Sequence, residues 1–392
     1  MSKPPTIWIL AGEASGDLYG GRLAVELKRL SPDITVKGMG MGAMRKAGVD
    51  LLVDSSDLGV IGFVEVFKRL PAFFKIFKGL VRQAEKERPD CVVMVDYPGF
   101  NLRFAKQMHR RGIPVVYYIS PQVWIWGKKR IPKIAAWCDK VLAIFPFEPA
   151  VYDGTGLDVQ FVGHPLVDII DGKKDASIQR DPNLLLLLPG SRRQEILRLL
   201  PPIAETAARL SRDHPKRCFA LPVPSPEIRD LVADTLADLR DKNPSIPDVT
   251  IVEGDASSWF QKADAGLATS GTVTMEAAIY GLPLVSIYKV SAWNYAIGKL
   301  LIKLDYFTIV NLVAGKRVFD EFLQGDVRAD VLAPAVEAIL TRGERRDEVM
   351  QGIADCVAAL GGGRGSCERA AREALKTATS AGRPRRETCP TG

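Results

Sequence analysis

Short, unbroken apolar runs that each end in a glycine-containing turn constrain this chain most. Ile7–Ala11 runs into Gly12-Glu13-Ala14-Ser15-Gly16-Asp17, and Leu184–Leu188 into Pro189-Gly190-Ser191-Arg192-Arg193. The stretch 263–285, ADAGLATSGTVTMEAAIYGLPLV, reads as a strand over Asp264–Ala268, a Ser270-Gly271-Thr272 turn and a helix over Val273–Tyr280. Gly281-Leu282-Pro283 and a further apolar run follow. A strand without polar alternation is buried on both faces, which is the pattern of a parallel sheet covered by helices.

The same alternation runs along the chain. Strands are expected at Ile7–Ala11, Cys91–Asp96, Val115–Ile119 and Val141–Ile144, with helices over Tyr19–Leu30, Ala72–Glu87, Leu102–Arg111 and Arg130–Trp137. Around Gly163–Asp175 the apolar pattern gives way to charge, which reads as a linker. A second set follows at Leu184–Leu188, Phe219–Pro222, Thr250–Val252, Ala265–Ala268 and Leu284–Tyr288. The expectation is an α/β protein of two Rossmann-like domains facing across a cleft, over 1–168 and 175–345. Helices over 346–376 are expected to pack back on the first domain, and the polar tail 377–392 to be disordered.

At 392 residues, with 47% hydrophobic and 25% charged residues, the chain has the size and composition of two globular domains. No apolar run reaches the ~20 residues that span a bilayer. The first apolar stretch leads straight into a glycine turn and is too short for a secretory signal. Six scattered cysteines without a C-x-x-C pair fit free thiols in a reducing cytoplasm. The three histidines form no metal cluster in sequence. A net charge of +7 suits anionic lipid or phosphorylated substrates. No nucleic-acid motif accompanies it.

Several segments carry candidate chemistry. Ser270-Gly271-Thr272 opens a helix, where free N–H groups and the helix dipole favour an anion. Glu276, one turn in, is a poor phosphate ligand but a good acceptor for ribose hydroxyls. The pair suits a nucleoside diphosphate, and equally an ordinary capped βαβ unit. Arg192 can grip phosphate through two N–H groups, or serve only as a turn residue. Asp96 ends a strand before Pro98-Gly99, as a catalyst or as a loop acid. Trp124 and Trp126 can stack on a sugar or pack the interior. Residues 60–81 interleave Phe63, Phe67, Phe73, Phe74 and Phe77 with Lys68, Arg69, Lys75 and Lys78, an arrangement for a membrane interface or for a buried helix with solvated lysines. Trp293–Tyr306 is a second stretch of that kind.

Taken together and in order, nine segments resemble the lipid-A-disaccharide synthase family over about residues 6 to 375. They are AGEASGD (11–17), Gly62 with Glu65 and Val66, D-x-P-x-F-N (96–101), SPQVWIW (120–126), FPFE (145–148), GHP (163–165), LPGSR (188–192), SGTVTMEAA (270–278) and NLVAGKRVFDEFLQ (311–324). The resemblance implies an inverting glycosyltransferase of GT-B fold. It would transfer 2,3-diacylglucosamine from its UDP derivative to 2,3-diacylglucosamine 1-phosphate. The products would be UDP and a β-1,6-linked disaccharide 1-phosphate, the precursor of lipid A.

The resemblance also implies residue roles. It adds Asn311 and Gln324 to Arg192, Ser270, Gly271, Thr272 and Glu276 on the UDP side. Ser15, Gly16, Asp17 and Asn101 fall to the acceptor. The 6-hydroxyl must lose a proton as it attacks, so a base is required. Family analogy points to Asp96, with Glu13 as alternative or partner. Two nearby acids raise one pKa by mutual repulsion. Gly99 stands where some members have a second aspartate, so that acid is dispensable here. No D-x-D pair marks a donor-site metal. Neither metal nor cofactor is expected, since Arg192 and helix N-termini can neutralise departing UDP. Acylated substrates imply peripheral association with the cytoplasmic face of the inner membrane, with Phe67, Phe73, Phe74, Phe77, Lys75 and Lys78 as contacts. A homodimer is compatible with the sequence. The alternatives are a transferase with a polyprenyl-linked acceptor, a nucleotide-sugar 2-epimerase, and a non-catalytic nucleotide-sugar or lipid binder.

Overall fold

The computed structural model describes residues 4–56, 65–125, 127–290, 305–361 and 365–380. The chain divides into two compact units, Met1–Asp168 with Arg364–Gly392, and Ile169–Gly363.

The first unit runs β1 (Thr6–Ala11), α1 (Ala14–Leu30), β2 (Thr35–Gly40), α2 (Gly42–Lys46), β3 (Asp50–Asp54) and α3 (Glu65–Glu87). It continues with β4 (Cys91–Val95), α4 (Pro98–Arg110), β5 (Val115–Tyr118), α5 (Ile131–Trp137), β6 (Lys140–Ala143), α6 (Glu148–Val151), β7 (Asp158–Phe161) and the start of α7 (Pro165–Asp171), whose last residues belong to the second unit. Among the described residues its sheet has seven parallel strands in the order β3-β2-β1-β4-β5-β6-β7. β4 and β5 are buried at every residue, as unbroken apolar strands must be when helices cover both faces, and β6 is buried throughout as well. Sequence reading misses β2, β3 and β7. They lie toward the sheet edges, where half-exposed positions take polar residues such as Lys37, Asp50 and Gln160.

The first helix starts earlier than the glycines suggest. Gly16, Gly20 and Gly21 all lie inside α1. A Cβ on Gly21 would sit 2.9 Å from the Ala43 carbonyl oxygen, and one on Gly20 2.9 Å from the Met44 sulfur. These glycines let α2 pack directly on the helix backbone.

The second unit runs β8 (Asp181–Leu188), α8 (Arg193–Asp213), β9 (Cys218–Val223), α9 (Pro226–Lys242), β10 (Val249–Glu253), α10 (Ser257–Lys262) and β11 (Ala263–Thr269). There follow α11 (Thr272–Ile279), β12 (Leu284–Tyr288), α12 (Ile309–Ala314), β13 (Asp320–Leu323), α13 (Ala329–Leu340) and α14 (Glu344–Ala359). The described strands form a parallel sheet in the order β10-β9-β8-β11-β12-β13.

The carboxy-terminal helices do not both return to the first unit. α14 stays in the second, where Arg346 pairs with Asp264 at 2.8 Å and Arg345 with Asp320 at 3.0 Å. Gly352 lets it approach Val318, whose methyl groups would lie 2.8 Å from an added Cβ. Only α15 (Ser366–Thr379) packs in the first unit. Asp168, read above as linker charge, caps it by accepting from Gly365 N–H at 2.8 Å, Ser366 Oγ at 2.6 Å and Cys367 N–H at 2.9 Å. A buried ion pair joins Lys140 of β6 to Glu373. α15 also runs past Thr377, where the tail was expected to begin, while residues 381–392 lie outside the described residues.

Candidate active site

In both sheets the strand order reverses next to the first strand, between β1 and β4 and between β8 and β11. Open α/β sheets bind ligands at the carboxyl ends of such strand pairs. Ala11 pairs with Val95 and Leu188 with Ala268, so the turns that follow emerge side by side. Glu13 and Asp96 follow the first pair; Gly190–Arg192 and Ser270–Thr272 follow the second.

Asp96 and Tyr97 both have left-handed backbones, at φ 47° and 48°. This is costly for residues with a side chain and persists only where surroundings enforce it. The Asp96 N–H donates to the carbonyls of Tyr118 and Ile119 at 3.3 and 3.2 Å. Its own carbonyl accepts from Asn101 Nδ2 at 2.7 Å and the Tyr117 hydroxyl at 3.0 Å. The Tyr97 ring fills the space over Gly12, where a Cβ would lie 2.3 Å from ring carbon Cδ1. The glycine thus makes room for a neighbouring side chain. The Asp96 carboxyl is pushed up to about 6, by burial first and then by the charge of Glu13. The expected repulsion is present but is the smaller cause. Glu13 itself is exposed at the start of α1.

Two residues expected to touch the acceptor are occupied elsewhere. Asp17 is buried, and its carboxylate accepts from the backbone N–H groups of Met41 at 2.6 Å, Ala43 at 2.7 Å and Met44 at 3.1 Å. It caps α2 and ties α1 to it. Asn101 is fully buried, and its Nδ2 donates to the carbonyls of Leu10, Val95 and Asp96. It joins the ends of β1 and β4 and positions Asp96. Gly16 is buried, while Ser15 is exposed beside Glu13. The sequence did not single out Tyr97, whose place in the D-x-P turn is its only signal.

In the second unit, Gly190 has φ +118°, which requires glycine. Arg192 stands at the N-cap position of α8, its side chain 81% exposed and paired with Glu195 at 2.9 Å. So exposed a pair is weak and yields readily to a bound anion. A Cβ at Gly271 would meet nothing within 4 Å, so the space over this turn is open. Ser270 Oγ donates to the Phe307 carbonyl at 3.2 Å, and Thr272 is exposed at the first turn of α11. Glu276 is half-buried, and among the described residues its carboxylate accepts no hydrogen bond. Burial raises its pKa, Lys173 opposes the rise and Asp255 adds to it.

Asn311, expected on the UDP side, has its side chain engaged within the protein. It is fully buried, accepts from Val318 and Phe319 N–H at 2.9 and 2.8 Å, and donates to the Phe319 carbonyl and to Glu321 Oε1, both at 2.9 Å. Glu321, within the NLVAGKRVFDEFLQ stretch but not singled out by the sequence, accepts from Phe307 and Thr308 N–H. Asn311 and Glu321 thus hold the segment that carries Phe307, the partner of Ser270. Gln324 has φ 50°, and its Oε1 accepts from Val290 N–H at 3.1 Å. Among the described residues no three His, Cys, Asp or Glu side chains are placed to hold a metal ion.

The 60–81 segment divides by facing. Phe73 and Phe77 pack edge-on against Phe100 at 5.3 and 5.4 Å, so part of each ring is buried against the core. Phe74 is 52% exposed, with Lys75 and Lys78 also exposed. The side chain of Phe67, and most of Trp293–Tyr306, lie outside the described residues. Trp124 packs against Phe145 and Phe147, the interior alternative, and Trp126 also lies outside the described residues. No described helix is long and apolar enough to cross a membrane.

Two parallel sheets, each with its ligand-type turns at a strand-order reversal, define the GT-B class of two-domain α/β folds. Solved structures of this kind share it. S. aureus MnaA in complex with UDP matches at a TM-score of 0.65 and 12% identity over 96% of this chain and 97% of that one. UDP-GlcNAc 2-epimerase from Neisseria meningitidis matches at 0.64 and 12%, over 95% and 100%. The kitacinnamycin glycosyltransferase matches at 0.63 and 15%, over 96% and 100%. At such identities the likeness concerns the fold alone. Sequence goes further: the family model described as lipid-A-disaccharide synthetase matches residues 7–375. The curated lipid-A-disaccharide synthase of Geobacter sulfurreducens is 40% identical over 93% of this chain and 95% of its own length. That of Myxococcus xanthus is 36% identical over 96% and 98%. The chain belongs to the lipid-A-disaccharide synthetase family, a family of glycosyltransferases.

Proposed function

We propose that this chain joins 2,3-diacylglucosamine, supplied as its UDP derivative, to the 6-hydroxyl of 2,3-diacylglucosamine 1-phosphate. UDP and the β-1,6-linked lipid A disaccharide 1-phosphate are released. Family membership supports the substrates. The observation that carries the mechanism is Asp96, a carboxyl held in a strained strand-end turn with its pKa pushed up to about 6. At neutral pH it is ionised, yet it is a stronger base than an ordinary carboxylate.

Asp96 takes the proton of the 6-hydroxyl while that oxygen attacks the anomeric carbon. The bond from that carbon to the UDP phosphate oxygen breaks on the opposite face, so the anomeric configuration inverts. Glu13 keeps Asp96 basic and is the alternative base. Ser15 and the α1 backbone at Gly16 contact the acceptor. The charge growing on UDP is met by Arg192 and the N-terminal N–H groups of α11. Glu276, a desolvated carboxylate without a described donor, accepts from the ribose hydroxyls.

The reading places the enzyme at the cytoplasmic face of the inner membrane, with Phe74, Lys75 and Lys78 as surface contacts. Release of UDP from the diacylated donor, measured with and without acceptor, tests it. Acceptor-dependent UDP and disaccharide support the synthase; turnover of donor alone to an epimer would replace it with the 2-epimerase reading.

A further inference from the structure

Helices α3, α4 and α5 of the first unit leave a groove of about 450 Å³. Its apolar wall is Phe77, Leu102 and Trp137; its cations are Arg103, Lys106, Arg130 and Lys133. Among the described residues none of the four is paired with a carboxylate. Arg103 donates to the Gly99 carbonyl at 2.6 Å, and Lys106 Nζ lies 5.4 Å from the Trp137 ring centroid. Arg130 and Lys133 are exposed. Uncompensated like charges repel one another, and a bound anion relieves that repulsion. Pro98 and Gly99 line the groove, two and three residues past Asp96.

From this geometry we infer that the groove is the subsite for a phosphorylated, acylated sugar: the phosphate lies on the cations and the beginning of an acyl chain on Phe77, Leu102 and Trp137. The inference rests on the disaccharide-forming reading, in which the acceptor carries both groups. Arginine suits the phosphate because its planar fork presents paired donors, and lysine adds a point charge. The volume is that of a small-ligand pocket, enough for a phosphorylated hexosamine and the first part of a chain. A flat membrane surface would meet the exposed cations but could not fill the concave apolar wall.

The test compares wild type with the Arg130→Ala/Lys133→Ala double variant, whose changed side chains are exposed, with melting curves to confirm the fold. The probes are 2,3-diacylglucosamine 1-phosphate and the same lipid without phosphate, both in neutral detergent micelles. Equilibrium binding and acceptor KM for the phosphorylated probe should weaken about tenfold or more in the variant, the loss expected for charge-assisted hydrogen bonds. The dephosphorylated probe should bind both proteins alike, and UDP affinity should not move. Equal binding of the phosphorylated probe to the two proteins would overturn the inference. So would a loss confined to phosphatidylglycerol vesicles, which would give the cations to the membrane. Failure of the wild type to form disaccharide would remove the synthase reading instead, and the binding comparison would still decide the groove.

Discussion

The side-chain amide of Asn101 donates to the backbone carbonyl of Asp96 at 2.7 Å, across the first turn of α4. That bond, with the Tyr117 hydroxyl on the same oxygen, holds Asp96 in a left-handed conformation that an isolated chain would leave. The proposed base is thus aimed by a buried amide whose Nδ2 donates only to backbone carbonyls.

Replacing Asp96 by Asn should lower turnover by ~10²-fold or more, since the general base is lost. The same change should stabilise the fold. In the folded state the pKa of about 6 lies above the ordinary carboxyl value of 3.8, so folding favours the protonated form. Its contribution to stability is fully present below about pH 4 and is lost as pH rises through about 6. At neutral pH Asp96→Asn should therefore gain about 1–3 kcal/mol over wild type, and near pH 3.5 almost nothing. Denaturant melts at both pH values check this; a variant less stable than wild type at pH 7.5 would contradict the assigned burial.

Glu13→Gln removes the charge that helps raise the Asp96 pKa. The acidic limb of the kcat/KM profile, expected near pH 6 in wild type, should move to lower pH in this variant. A limb that stays in place while turnover collapses would make Glu13 the base.

Arg192→Ala and Glu276→Ala should each weaken UDP binding by about 10–100-fold, the range for hydrogen bonds to charged groups. Calorimetry with UDP reads this directly. Unchanged affinity in both would remove the donor assignment from the second unit.

Asn311→Ala should destabilise the fold by about 2–4 kcal/mol, because the buried Val318 and Phe319 N–H groups lose their acceptor. The melting temperature should fall, and UDP affinity measured well below it should change little. A stable variant that fails to bind UDP would restore Asn311 as a direct ligand.

Phe74→Ser should leave the melting curve near wild type and weaken binding to anionic vesicles. Phe77→Ser should cost a few kcal/mol of stability, since its ring packs on Phe100 and Phe104. Vesicle binding undiminished in a folded Phe74→Ser variant would take this helix out of the membrane contact.

The central strands and both ligand-type turns were legible because burial on two faces leaves an unbroken apolar run, and a chain leaving such a strand needs small or polar residues to turn. Edge strands such as β3 and β7 escaped, since half-exposed strands mix polar and apolar residues as loops do. The places of Asp96, at a strand end, and of Glu276, one turn into a helix, were legible. The roles of Asp17, Asn101 and Asn311 were not. Each is a polar residue inside a motif, and sequence alone leaves open whether it meets a ligand or a neighbouring backbone. Asp17 finds its partners at Met41–Met44 and Asn101 one of its own at Leu10, so the answer depends on segments brought together by the sheet. The same holds for Phe73 and Phe77 against Phe74, which the packing of α3 on Phe100 separates. The basicity of Asp96 comes chiefly from burial, which no local run of residues contains. Local sequence determined the strands and turns because these follow from the pattern of neighbours along the chain. Only the tertiary structure decided which polar groups remain free for chemistry, because desolvation and hydrogen bonding are set by atoms far apart in sequence.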